Sequence, residues 1–83
     1  MNIYYNDRKI GKSDKDIHAA MKVMRDFLKS KNIKTDNYWR WIELDNGRTM
    51  IDYGSWSNFF YIDCPYSKLI ENDKTRNLPT DKE

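Results

Sequence analysis

The chain has 83 residues, enough for one domain with a thin core, and its 15 basic and 13 acidic side chains leave a net charge of +2, too small to indicate a partner. A single cysteine excludes an internal disulfide framework and fits a reducing cytosol. No apolar run approaches the ~20 residues that span a bilayer, and the polar N-terminus lacks the apolar stretch of a secretory signal. We therefore expect a cytoplasmic protein.

Charge is unevenly distributed along the chain. Residues 1–34 carry nine basic and four acidic side chains, residues 35–65 carry two and five, and the remaining residues carry four of each sign. The first part is therefore basic and the middle part acidic. Such a polarised domain differs from the uniformly basic domains that bind nucleic acid.

The first predicted element is a hairpin over residues 3–10. Asn6 and Asp7 tolerate the positive φ that a two-residue turn between strands requires. This turn predicts two pairs of opposing residues, Tyr5 with Arg8 and Ile3 with Ile10. The two isoleucines then share one face, which supports the register.

A helix is predicted over residues 14–31. Ser13 is expected to cap its first turn, with Asp16 three residues later as an imperfect capping box. Apolar residues recur at the spacing of one helical stripe: Ile17, Ala20, Met21, Met24, Phe27 and Leu28. The other side is basic, with Lys15, Lys22, Arg25, Lys29 and, nearby, Lys31. Asn32 is expected in the left-handed conformation, with Ile33 folded back onto the helix as in a Schellman motif.

Three strand-like runs follow, at residues 38–44, 48–53 and 58–63. Asn46-Gly47 between the first two is a strong hairpin signal. We prefer a two-residue loop there, because a three-residue loop would put Ile51 beside Glu43. The preferred loop predicts that Leu44 pairs with Thr49 and Ile42 with Ile51. Pro65 ends the third strand because it cannot donate to a ladder.

The predicted fold is α+β: an N-terminal hairpin and one amphipathic helix packed on a three-stranded antiparallel meander. Residues 66–70 are expected to add one short helical turn. The domain is expected to span residues 1–70, with a flexible polar tail over residues 71–83.

No pattern for catalysis, metal binding or cofactor binding is found in the sequence, and we expect a protein that is not an enzyme. His18 is the single histidine, and it lies with Ser13 and Asp14 at one helix start, where Ser13 is better explained as a cap. Cys64 follows the alternation of the third strand and is expected to be an inert core thiol. One histidine and one cysteine cannot complete a tetrahedral zinc site without carboxylates.

Strand alternation divides the predicted meander into two faces. One face, expected under the helix, holds Ile42, Leu44, Ile51, Tyr53, Phe60 and Ile62. The other is the predicted partner-binding site, and it holds Trp39, Trp41, Glu43, Met50, Asp52, Phe59, Tyr61 and Asp63. One helix cannot cover both faces, so an aromatic surface is expected to stay open for interaction.

Three interpretations of this surface are open. The aromatic residues can be purely structural, covered by the hairpin or by residues 66–80. They can stack on single-stranded nucleic acid, although Glu43, Asp52 and Asp63 would repel phosphates there. They can also bind a protein, for which aromatic and methionine side chains with acids among them are typical. We favour a partner protein with a basic surface, and a homodimer through this face is a further alternative.

The run from Asp45-Asn46-Gly47 through Ile51-Asp52-Tyr53-Gly54-Ser55 to Phe59-Phe60 resembles small accessory proteins of phages and mobile elements from low-GC Gram-positive bacteria. The chain's size and its richness in Lys, Asn, Ile, Asp and Tyr are similar too. Many such proteins block host defences, and the anti-CRISPR proteins are the best-known group. The resemblance implies a non-enzymatic inhibitor, active in the host cytoplasm, that occludes a nucleic-acid-handling enzyme such as a CRISPR nuclease. It assigns no functional residue.

Overall fold

The computed structural model describes residues 1–34 and 39–71 of the chain. Within these residues it has five strands and two helices, in the order β1 (Asn2–Tyr5), β2 (Arg8–Lys12), α1 (Ile17–Ser30), β3 (Arg40–Glu43), β4 (Thr49–Asp52), β5 (Phe60–Ile62) and α2 (Tyr66–Glu71). Neither of these helices is long and apolar enough to cross a membrane. Of the predicted tail, only Glu71 is described, and it ends α2.

The α+β class and the antiparallel meander are confirmed. The strands lie in the order β2-β1-β5-β4-β3, and every neighbouring pair is antiparallel. The prediction did not specify which strand of the meander the N-terminal hairpin joins. In the structure β1 pairs with β5, so the two units form one five-stranded sheet. The short helical turn predicted at residues 66–70 is present as α2.

The N-terminal hairpin has the predicted turn but only part of the predicted register. Asn6 adopts a φ of 57°, and Tyr5 pairs with Arg8 as expected. Ile3 pairs with Gly11 and not with Ile10, because a β-bulge shifts the register between Ile3 and Tyr4. The turn residues therefore predicted the pairing register only at the end of the hairpin next to the turn.

Helix α1 begins three residues later than predicted, and Ser13 does not cap it. The cap is Asp16, whose carboxylate accepts a hydrogen bond from the backbone N–H of His18 at 2.9 Å. Ser13 instead continues the hydrogen-bond ladder between β1 and β2 at the open end of the hairpin. Its N–H donates to the Met1 carbonyl at 3.0 Å, and its carbonyl accepts from the Met1 ammonium at 2.7 Å. These two bonds hold the chain extended at Ser13, so the helix starts beyond it.

The C-terminal end of α1 confirms the Schellman motif. Asn32 has a φ of 61°, in the left-handed region. The Ile33 N–H donates to the Leu28 carbonyl at 2.9 Å, and the Asn32 N–H donates to the Lys29 carbonyl at 3.1 Å. Two carbonyls that the helix leaves open are thereby satisfied.

The core lies between the sheet and the two helices. The predicted stripe of α1 faces it, with Ala20, Met24 and Leu28 fully buried. The sheet contributes Ile3, Ile51, Phe60 and Ile62, each with no exposed surface. Leu69 of α2 is also fully buried, and the Tyr66 ring lies 5.9 Å from the Trp41 ring, so α2 covers the end of the sheet near β3.

The predicted two-residue loop at Asn46-Gly47 is wrong. The Leu44 N–H donates to the Arg48 carbonyl at 2.8 Å, which leaves a three-residue loop with Gly47 in the left-handed region at φ 82°. The Arg48 N–H also donates to the Asn46 side chain at 3.1 Å. In this register Ile51 lies opposite Trp41, and not opposite Glu43 as the sequence argument assumed.

This shift of one residue turns β3 over, because successive side chains of a strand point to opposite faces. Trp39 and Trp41 now pack against the core, whereas Ile42 pairs with Met50 on the far side of the sheet. Ile42 and Leu44, predicted under the helix, are only half-buried. An indole buries more apolar surface than an isoleucine side chain, and this favours the observed side for Trp41.

Candidate functional site

The sheet face opposite the helices carries a row of four apolar and aromatic side chains, one from each of four adjacent strands. Tyr4 lies opposite Tyr61, Tyr61 opposite Met50, and Met50 opposite Ile42. All four are half-buried, and both described helices pack on the other side. We call this surface the open face; it comprises the row and the charged residues Arg40, Arg48, Asp52 and Asp63.

Asp63 organises one end of the open face. One of its carboxylate oxygens accepts from the Asn2 amide at 3.2 Å and from the Tyr4 hydroxyl at 3.3 Å. The other lies 3.2 Å from Nε of Arg48. That Nε is buried and its N–H is not aligned with the carboxylate, so this contact is an ion pair without a well-formed hydrogen bond.

The Arg48 guanidinium covers two tyrosine rings of the open face. Its central carbon lies 4.9 Å from the ring centre of Tyr4 and 5.3 Å from that of Tyr61. Both distances are within the range of cation–π attraction. Arg48 thus holds the two rings and Asp63 in one cluster.

A second ion pair lies at the opposite end of the face. Nη2 of Arg40 is 3.5 Å from the Asp52 carboxylate, which also accepts the Gly54 N–H at 2.9 Å. Each carboxylate of the open face therefore has an arginine beside it. The face combines an aromatic and apolar centre with two arginine–carboxylate pairs, and Lys9 and Lys12 of β2 lie on the same side, opposite Tyr4 and Asn2.

The structure divides the eight predicted partner-binding residues. Met50, Asp52, Tyr61 and Asp63 lie together on the open face. Phe59 is half-buried just before β5, where its carbonyl accepts the Asn6 N–H at 2.7 Å.

The other three predicted residues lie on the helix side of the sheet. The Trp39 ring is parallel to that of Phe60, at 6.1 Å, and Trp41 packs on Tyr66. Glu43 accepts the Ser67 N–H at 3.0 Å and so satisfies an N-terminal donor of α2. The prediction placed these three residues on the open face, and this was wrong. The three-residue loop at Gly47 shifts the register by one residue and so inverts β3.

A second candidate surface is the loop between β4 and β5. Trp56 is 98% exposed, and it is the only large apolar side chain so exposed among residues 1–34 and 39–71. We call residues 54–58 the Trp56 loop. The exposed Trp56 indole buries no apolar surface in the core, so packing does not explain a tryptophan at this position.

The Trp56 loop is held by hydrogen bonds on both sides of the indole. Before it, Gly54 is bound to Asp52, as described above. After it, the Asn58 N–H donates to the Ser55 hydroxyl at 3.1 Å, and the Asn58 side chain accepts from the Asn6 amide at 2.9 Å. The exposed indole is therefore presented by a loop whose ends are fixed.

A cleft of about 480 Å³ lies beside Trp56. We call it the Trp56 cleft; it is lined by the loop and by Tyr5, Ile33, Lys34 and Tyr53. The Tyr5 and Tyr53 hydroxyls are hydrogen-bonded to each other at 2.5 Å. Burial, and next this hydrogen bond, raise the pKa of Tyr5 to about 12.

Ser13 and Cys64, two side chains that could serve in catalysis, belong to neither the open face nor the Trp56 loop. The Ser13 hydroxyl lies 2.9 Å from the Asp14 carbonyl and donates to it. Cys64 is buried, and this burial raises the pKa of its thiol. Across residues 1–34 and 39–71, no three histidine, cysteine or acidic side chains are grouped so that they could hold a metal ion.

Comparison of the chain with protein-family models, with curated proteins and with solved structures finds no match.

Sequence reasoning missed four residues of the open face, Tyr4, Arg40, Ile42 and Arg48, and it also missed the exposed Trp56. Tyr4 and Arg48 became recognisable only when β1 and β4 were placed on either side of β5. Trp56 had a local signal, because it stands among the turn-forming residues Gly54, Ser55, Ser57 and Asn58. An aromatic residue in such a run predicts an exposed loop tip.

Proposed function

We propose that the protein is a non-enzymatic protein-binding module whose open face docks on a partner protein. The observation that carries this proposal is the half-buried row Tyr4, Tyr61, Met50 and Ile42, which crosses four strands on the side away from both helices. Contiguous apolar patches rimmed by polar groups are typical of interaction sites. Tyrosine, methionine and arginine are also enriched in such interfaces.

The paired charges affect which partner fits the open face. Asp52 and Asp63 each have an arginine within 3.5 Å, and Glu43 lies on the other side of the sheet. The face therefore presents less net negative charge than the sequence suggested. A partner with an apolar patch and a rim of mixed charge complements it best.

Arg48 favours a protein over single-stranded nucleic acid. Bases bind by stacking on exposed aromatic rings, and Arg48 already lies over the rings of Tyr4 and Tyr61. Its charge is also opposed by Asp63, which lowers its attraction for phosphate. A base would have to displace the arginine from both rings and from the carboxylate.

The narrower proposal concerns the partner's identity. The resemblance to small phage and mobile-element proteins supports an inhibitor that acts in a host cytoplasm by occluding a defence protein such as a CRISPR nuclease. The arginines beside Asp52 and Asp63 reduce the negative charge of the open face. This weakens the electrostatic argument for a basic site on the target. The inhibitor would act stoichiometrically, by covering a surface, since the proposal assigns it no chemistry of its own.

The test is to capture a partner from host lysate with the wild-type protein, purify it, and measure its affinity for open-face variants. We expect Tyr61→Ala to weaken binding by about 2 kcal/mol or more, roughly 30-fold, if Tyr61 is an anchor. Ile42→Lys should weaken it as well, by placing a charge in the apolar row. Lys22→Ala, on the exposed side of α1, is the matched control and should bind normally.

Circular dichroism must first show that each variant is folded. Folded Tyr61→Ala and Ile42→Lys variants that bind the partner at full strength would show that the open face is not the interface. Tight binding of single-stranded oligonucleotides at ~150 mM salt, lost in Tyr61→Ala, would instead support the nucleic-acid alternative.

A further inference from the structure

The apolar row of the open face ends in a lysine at the edge of the sheet. Lys9 of the edge strand β2 pairs with Tyr4, so it continues the row onto the fifth strand. Neighbouring strands are about 4.8 Å apart, so the distance from Lys9 to Ile42 at the other end of the row is roughly 19 Å. Lys12 lies on the same side of β2. The open face is therefore bordered by two lysines along its β2 side.

These two lysines carry charge that the fold leaves unpaired. Both side chains are exposed, and neither forms an ion pair within residues 1–34 and 39–71. Asp52 and Asp63, by contrast, each accept hydrogen bonds from the protein itself and each lie beside an arginine. The charge that remains available to an incoming partner on this side of the sheet is therefore positive.

We propose that the open face binds a partner protein whose apolar patch is flanked by acidic side chains, with these carboxylates opposite Lys9 and Lys12. The inference rests on the proposed function and names the chemistry of its partner. Apolar groups of the partner cover Tyr61 and Met50, and its carboxylates lie over β2. Opposite charges placed in this way fix the orientation of the complex and speed the encounter.

The sign of this charge differs from the expectation based on sequence. That expectation counted Glu43, Asp52 and Asp63 as free acids among the aromatic residues. Glu43 lies on the helix side, where it accepts the Ser67 N–H, and both aspartates are paired. The lysines of β2 did not enter that argument, because their place beside the meander depends on the pairing of β1 with β5. The folded face is thus more complementary to an acidic partner than to a basic one.

Lysine on an edge strand has a second physical role. Edge strands expose unpaired backbone groups, and lysine side chains there discourage pairing with other chains. With this role alone, Lys9 and Lys12 would keep the protein soluble but would not discriminate between soluble partners by charge. Selectivity among matched soluble probes therefore separates the two roles.

The experiment titrates the isotopically labelled full chain with three matched peptides and follows its backbone amide signals by NMR. Each peptide has about ten residues, enough to cross the row, with leucine and phenylalanine in one half. The other half is rich in glutamate, glutamine or lysine. At ~150 mM salt, the signals of Tyr4, Lys9 and Tyr61 should shift. The glutamate peptide should bind about 5-fold more tightly than the glutamine peptide, as a few exposed charge contacts allow, and the lysine peptide should bind least tightly.

Double variants locate the charge that is recognised. Lys9→Gln/Lys12→Gln should reduce the advantage of the glutamate peptide to less than about 2-fold. Lys22→Gln/Lys29→Gln removes the same charge from exposed positions of α1, and this matched control should keep the full advantage. Lys9→Glu/Lys12→Glu should reverse the preference in favour of the lysine peptide. Such a reversal requires a folded protein, so loss of structure cannot produce it.

The unfavourable outcomes separate this inference from the proposed function. Equal binding of the three peptides, lost in Tyr61→Ala, would overturn the acidic partner and keep the open face as a docking site. No shift on the open face up to about 5 mM peptide would overturn both.

Two further outcomes would overturn the acidic partner alone. A glutamate advantage that survives Lys9→Gln/Lys12→Gln would place the recognised charge elsewhere on the protein. Single-stranded oligothymidylate that binds more tightly than the glutamate peptide, through the same two lysines, would assign them to the phosphates of a nucleic acid.

Discussion

The two faces of the sheet are built from alternate residues of the same strands, yet they have different physical roles. On the helix side, Ile51 and Phe60 are completely buried in the core. On the open face, the neighbouring residues Met50 and Tyr61 are half-buried and lie among paired charges. The comparison teaches that, if the open face binds a partner as proposed, residues for stability and for recognition alternate along one strand. Substitutions at adjacent positions can therefore be compared in pairs, beginning with the pair that has the largest expected effect.

The largest difference is expected between Phe60 and Tyr61. The Phe60 ring lies 5.1 Å from that of Tyr5 and 5.3 Å from that of Tyr53, at the centre of the aromatic core. Phe60→Ala should cost about 3–5 kcal/mol of unfolding free energy, which can unfold so small a domain. Tyr61→Ala should cost about 1 kcal/mol, as typical substitutions do. Urea denaturation measures both, and equal costs would contradict the division into two faces.

Trp41 and Ile42 test the register of β3. With Trp41 on the helix side against Tyr66, Trp41→Ala should cost about 2 kcal/mol, below the range for a fully buried tryptophan. Ile42→Ala should cost less than about 1 kcal/mol, because the side chain is only half-buried. Thermal unfolding of the two variants ranks them. The reverse order would restore the register predicted from a two-residue loop.

Thr49 and Met50 compare a buried hydrogen bond with a half-buried apolar contact. The Thr49 hydroxyl has no exposed surface and donates to the Cys64 carbonyl at 2.7 Å. Thr49→Val keeps the shape but removes this donor, so it should cost about 1–2 kcal/mol. Met50→Leu keeps an apolar side chain on the open face and should change stability by less than about 0.5 kcal/mol. Chemical denaturation of both variants checks the difference, which should vanish if the hydroxyl bond is absent in solution.

The effect expected at Tyr5, compared with Tyr4, is the smallest at neutral pH, because it appears only when alkaline pH removes the Tyr5 proton. The pKa of Tyr5 is raised to about 12, first by burial and then by the bond to Tyr53. The folded state holds this proton more tightly than the unfolded state, whose tyrosines titrate near pH ~10. The stabilising contribution is therefore complete below pH ~10 and is lost as pH rises towards about 12.

The measurement is tyrosinate absorbance during alkaline titration. The wild-type protein should show a late titration step from Tyr5, together with loss of structure as Tyr5 ionises. Tyr5→Phe should remove this late step, whereas Tyr4→Phe should leave it in place. A late step that persists without Tyr5 would assign it to a different residue.

Local sequence signals determined much of the fold. The apolar stripe predicted the buried side of α1, and Asn32 predicted the end of that helix. Asn6 and Gly47 marked the two hairpins, because each takes the positive φ that a tight turn needs. These features depend on residues close together in the chain, where spacing and backbone preference suffice.

The candidate site was predictable only in part, because its membership depends on long-range packing. Met50 and Tyr61 were placed correctly on one face by strand alternation. The side of β3 was not, since a two-residue and a three-residue loop at Gly47 differ by one residue of register and by the whole orientation of the strand. The pairing of β1 with β5 was also beyond local signals, and it brought Tyr4 next to Tyr61.

The sequence by itself determined the class of the fold, the helix stripe and the positions of the turns. Tertiary structure alone decided that Trp41 packs inward on Tyr66 and that Arg48 covers Tyr4 and Tyr61. The physical reason is that a turn is selected by the φ preferences of two or three residues. The side on which an aromatic ring is buried is selected by contacts between segments far apart in the chain, which no local pattern specifies.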